Sequence, residues 1–179
     1  MNIEKIKFYC RRIYRLSLNY KKQEALVWKD LKKLHALENY PSGIFEKEKY
    51  IETPFEIYKG QRLVYFYIIA KNCYHCRVQV LENFPVDATS DIFILASHFN
   101  NLLPDGVVVV NTDNNCVEYQ QKTKLLIPLL YTGELHAQII SHYNISKDIF
   151  AGFQRLIEEN EAPAIIIADI LKKKDTETS

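Results

Sequence analysis

The stretch QRLVYFYIIAKNCYHCRVQVLE, residues 61–82, decides the fold. RLVYFYIIA (62–70) is apolar on both alternating faces, the pattern of a strand covered from two sides. Lys71-Asn72 supplies a turn. Tyr74, Cys76, Val78 and Val80 then alternate with His75, Arg77 and Gln79, as in a half-exposed strand. The stretch reads as a hairpin, and Pro85 ends it.

Residues 53–58 read as a short strand turned by Lys59-Gly60. After the hairpin, Asp87 or Thr89 can cap a helix whose stripe is Ile92, Leu95, Ala96, Phe99, Leu102 and Leu103. Pro104-Asp105-Gly106 stops it. VVVV (107–110), the Asp113-Asn114-Asn115 turn and Cys116 to Gln121 form a second strand pair. Pro128 interrupts apolar Leu125 to Tyr131. Residues 133–143 read as a helix, Ser146 caps another through about 159, and Pro163 opens a last one, AIIIADILKK. Ahead of all this, residues 3–20 and 22–38 read as helices. The second carries Ala25, Leu26, Trp28, Leu31, Leu34 and Leu37, and ENYPSG (38–43) breaks it. Strands in hairpins with helices set apart give an α+β fold, an antiparallel sheet of about five strands flanked by helices. The expected organisation is a basic helical extension over 1–40, an α+β domain over 41–173 and a frayed tail over 174–179.

The 179 residues are 47% apolar and 25% charged, which suits a globular core. Five Gly and six Pro exclude a collagen-like chain. No apolar run approaches the roughly 18 residues of a membrane span. MNIEKIKFYCRR carries charges where a signal peptide is apolar, so a cytoplasmic protein is expected.

The net charge of +1 hides an asymmetry. Residues 1–33 hold ten basic groups against three acids, a balance of +7, and the rest of the chain balances at −6. Ile3, Ile6, Cys10 and Ile13 recur at helical spacing, with Tyr9, Leu16 and Tyr20 close to that face. Two readings are open: a basic helix that meets an anionic surface through Arg11, Arg12, Arg15, Lys21 and Lys22, or a helix packed on the acidic remainder of the same chain or a second copy.

Signatures of catalysis are missing. There is no GxSxG, HExxH, P-loop or GxGxxG. His136 and His142 are six apart and do not share a helix face. Glu158, Glu159 and Glu161 read as a solvated face. Cys73 and Cys76 form a CxxC without the second ligand pair of a zinc site, at the start of a strand rather than of a helix. Cys10 and Cys116 stand alone. No enzyme, cofactor or metal is expected. Tyr65, Phe66 and Tyr67 are consecutive on a strand and cannot all face one core, so either both sheet faces are covered within one subunit or one face shows aromatics to a helix layer, a second subunit or a peptide.

With RLVYFYIIA and CYHCRVQVL as a hairpin, ILASHFNNLLPDGVVVV with its Asn100 or Asn101 and Gly106, then NNCVEYQQ, residues 55–160 resemble the YbjN-like family. That family shares its fold with type III secretion chaperones. The resemblance implies a secretion-chaperone-like fold, here with an extra N-terminal helical extension, and it implies client binding and dimerisation. It carries over no catalytic residue. The first functional expectation is therefore a non-enzymatic, chaperone- or adaptor-like module. It engages a polypeptide partner and forms a homodimer through Tyr65, Tyr67, Val78 and Val80. The alternative is a surface-targeting protein whose basic N-terminal helix binds anionic membrane or nucleic acid.

Overall fold

Alternation along the expected hairpin is borne out and organises everything around it. β3 (Gln61–Ala70) buries Leu63, Tyr65, Tyr67 and Ile69, and β4 (Cys73–Leu81) buries Tyr74, Cys76, Val78 and Val80. The computed structural model describes residues 3–58, 60–131 and 133–177. Before the hairpin come α1 (Ile3–Ser17), α2 (Tyr20–Leu37), β1 (Gly43–Phe45) and β2 (Tyr50–Tyr58). After it come a short turn of 3₁₀ helix (Val86–Ala88), α3 (Thr89–Leu102), β5 (Val107–Asn111), β6 (Cys116–Lys124), α4 (Leu126–Leu130), α5 (Glu134–Glu158) and α6 (Pro163–Glu177). The class is α+β, with one six-stranded antiparallel sheet in the order β1-β2-β3-β4-β6-β5. The added strand is β1, which pairs Gly43 with Glu52 and Phe45 with Tyr50. It falls just after Pro41, where the sequence reads only as a helix breaker.

The chain forms two compact units. The first holds residues 3–54, 65–76 and 122–141. Asn19 caps α2, its side chain accepting from the Lys22 N–H at 3.0 Å. α2 buries Gln23, Val27, Trp28, Leu31 and His35, a face rotated from the expected one, and it leaves Leu37 exposed. Two polar anchors set that rotation. Trp28 Nε1 donates to Glu46 at 2.8 Å, and His35 Nδ1 lies 2.8 Å from Ser42 Oγ and 3.2 Å from Thr53 Oγ1. The His35 ring packs edge-on against Tyr67, which stacks on Tyr65 and on Tyr74.

The second unit holds residues 55–64, 77–121 and 142–177. Asn100 at the end of α3 clamps β5. Its Nδ2 donates to the Val108 carbonyl at 3.0 Å, and its Oδ1 accepts from the Val108 N–H at 2.6 Å. Gly106 has φ +85° and lies under Tyr119, where a Cβ would come within 2.6 Å of the ring. α5 runs unbroken from Glu134 to Glu158, where two helices are expected from the sequence. Ser146 does not cap a helix. It is fully buried, and its hydroxyl donates back to the Tyr143 carbonyl at 3.1 Å, which lets the helix continue. Arg155 closes the turn into α6, donating to Glu161 at 2.6 and 2.8 Å and to Asp169 at 2.8 Å.

Two predictions follow from these polar anchors. Asn100→Ala leaves both backbone groups of Val108 without their partner, so a loss of about 1–3 kcal/mol is expected. A urea midpoint equal to that of the wild type would count against the clamp. The second concerns pH. Burial lowers the pKa of His35 from 6.5 to about 4 and that of His142 from 6.5 to about 3. The unfolded chain then binds more protons than the folded one below pH 6.5, so stability is lost as pH falls from 6.5 toward 4 and below. Urea midpoints should decline steadily across that window. A flat profile between pH 7 and pH 4.5 would contradict it.

Candidate functional site

Tyr65 and Tyr67 are not a contact surface. Both are wholly buried, as is Val78, and Val80 is 1% exposed. The correction follows from the pleat. Successive strand residues face opposite ways, and the odd positions of β3 share the covered face with the even positions of β4. Phe66, on the other face, is only half-buried. Cys73 and Cys76 are three apart on β4 and so point to opposite faces. Burial pushes the Cys76 thiol well up. Among the described residues no cluster of His, Cys, Asp or Glu could hold a metal ion.

The exposed chemistry lies on α1. No residue of this helix is buried. Its guanidinium side is the one that meets the rest of the first unit. Arg15 Nη1 pairs with Asp30 of α2 at 3.0 Å. The Arg12 guanidinium lies 4.2 Å from the Phe8 ring centroid and 5.2 Å from that of Tyr131, just past α4. Gln23, itself buried, fastens the end of α1 by donating to the carbonyls of Leu16 at 3.1 Å and Leu18 at 2.9 Å.

With that side occupied, the apolar arc faces solvent. Ile3 and Ile13 are each 67% exposed, Tyr14 64%, Tyr9 50% and Ile6 38%. Cys10 lies on the same arc and is exposed. At 3.6 residues per turn, Ile3, Ile6, Cys10 and Ile13 hold the middle, with Tyr9 toward one border and Tyr14 toward the other. Lys5 lies just beyond the first border, and Lys7 then Arg11 beyond the second. All three are exposed. Of the five basic residues singled out from the sequence, Arg11, Lys21 and Lys22 are exposed, while Arg12 and Arg15 are half-buried and serve to seat the helix. Lys5 and Lys7 join the exposed set. The border positions become legible only once the outward arc is known.

No family model matches the chain, and no curated protein matches it. Among solved structures, YbjN from E. coli, described as a candidate transcription regulator, matches with a TM-score of 0.49 and 12% identity. The match covers 68% of this chain and 86% of that one. The fold is similar to that of YbjN. No helix among the described residues is long and apolar enough to cross a membrane.

If Gln23 is the fastening for α1, Gln23→Ala frees two carbonyls and loosens that helix first. Hydrogen exchange should speed up by about tenfold or more in α1 amides while β3 and β4 amides keep their protection. Equal acceleration in sheet and helix would show that Gln23 supports the fold as a whole instead.

Proposed function

We propose that this chain is a non-catalytic binding module of the cytoplasm that docks on an anionic surface through α1. The supporting observation is the orientation of the helix. It spends Arg12 and Arg15 on its own seat and turns an isoleucine and tyrosine arc outward, bordered by Lys5, Lys7 and Arg11. Lys21 and Lys22, exposed at the start of α2, add to the same basic segment. The reading of a polypeptide held on the sheet loses its proposed contacts, because Tyr65, Tyr67, Val78 and Val80 are core. Pairing of two copies along α1 sets one segment of charge +7 against another.

Each basic side chain near an anionic surface contributes about 1 kcal/mol, and salt screens that attraction. The wild-type chain should therefore be retained on immobilised heparin at low salt and released as salt rises. A variant with Lys7, Arg11, Lys21 and Lys22 all changed to Glu should pass through unretained with its urea midpoint intact. Unchanged retention of that variant would remove the proposal.

A further inference from the structure

We infer that the anionic surface is a lipid bilayer, with α1 lying in the plane of its headgroups and the Ile3, Ile6 and Ile13 side chains among the acyl chains. This rests on the reading of α1 as the docking element and names what that element meets.

Four features of the helix favour lipid over nucleic acid. The first is which side faces out. A phosphate backbone is met by Lys and Arg, and base edges by polar groups. The outward arc of α1 offers isoleucine, with Arg12 and Arg15 already engaged elsewhere. The second is the placement of the lysines. Lys5 and Lys7 stand at opposite borders of the arc, where a long alkyl stem can run along the apolar face; Lys5 is placed to reach a lipid phosphate, and the Lys7 ammonium, 3.3 Å from Glu4, reaches one by exchanging that exposed pair. The third is the placement of the tyrosines. Tyr9 and Tyr14 flank the isoleucines, and a ring with a polar tip suits the boundary between headgroup and hydrocarbon. The fourth is charge. Glu4, Lys5, Lys7, Arg11, Arg12 and Arg15 all fall within Ile3–Ser17, a density of charge that keeps a helix out of the hydrocarbon core and suits one lying along its surface. A second copy of the chain fits less well, since the like charges of two such segments oppose each other.

The test uses the full chain. Co-sedimentation is measured with vesicles of phosphatidylcholine plus phosphatidylserine and with vesicles of phosphatidylcholine alone, and heparin retention is measured in parallel. The paired substitution Ile6→Asn with Ile13→Asn keeps the charge, and Val86→Asn alters an exposed apolar residue that is not part of α1. Urea midpoints confirm that each variant folds. The wild type should bind phosphatidylserine vesicles at least about tenfold more tightly than phosphatidylcholine vesicles. The paired variant should lose at least about tenfold on vesicles but nothing on heparin, and Val86→Asn should lose neither. A polarity-sensitive dye on Cys10 should shift to the blue on phosphatidylserine vesicles.

If the wild type binds heparin but not vesicles, the lipid assignment falls; if the paired variant binds vesicles as well as the wild type, the seating of the isoleucines among the acyl chains falls. Docking of α1 on an anionic surface then stands. Binding to neither support overturns both. A concentration-dependent dimer that the paired substitution abolishes would make a second copy the occupant and overturn the lipid assignment as well.

Discussion

The fold depends on one face shared by β3 and β4. Their alternation brings Tyr65, Tyr67, Tyr74 and Val78 to a single side and excludes water from all four. Tyrosine on that side needs a lid with polar resources, because each ring brings a hydroxyl into the core. α2 supplies one in the first unit. His35 sets its ring on Tyr67 and satisfies Nδ1 through Ser42 and Thr53, so a polar residue takes a core position. Trp28 reaches out of the same face to Glu46 and fixes the rotation of the helix. Once α2 is fixed in this way, Asp30 becomes available to hold α1.

α1 thereby acquires an orientation that hydrophobic burial alone does not produce. An amphipathic helix in a globular protein ordinarily turns its apolar stripe to the core. Here an ion pair, a guanidinium on aromatic faces and a buried glutamine hold the opposite side, and the isoleucines face solvent. Apolar area that stays in water in the folded state adds nothing to stability, because the unfolded chain exposes it as well, so this helix is held by its polar contacts and not by burial of its isoleucines.

The sequence makes some of this plain and conceals the rest for identifiable reasons. Period-two alternation marks β3 and β4, because every other side chain meets the same environment. Asn100 and Gly106 are legible because a helix end and a positive φ constrain the residue types they accept. β1 is not legible: three exposed residues after a proline carry no period. The break expected within α5 fails because a serine can cap a helix or bond backward within one, and only its surroundings decide. α1 is the instructive case. Its period shows a helix with two unlike sides but cannot say which side is turned inward. That depends on Asp30 and Tyr131, distant in the chain. The same limit explains the buried tyrosines: Tyr65, Phe66 and Tyr67 announce two faces, and the sheet's neighbours determine which of them is covered.

The Asn100 clamp has a further consequence for how the chain behaves when crowded. β5 terminates the sheet, and an open terminal strand is a template on which another chain can add by main-chain hydrogen bonds. Four consecutive valines, residues 107–110, would make that template sticky. Asn100 occupies the Val108 N–H and carbonyl together, so an incoming strand finds its register interrupted. At the other end of the sheet, β1 offers only three residues. A strand arriving at β5 therefore meets a valine run whose central main-chain groups are already engaged, and has to displace a side chain of its own fold before it can pair there.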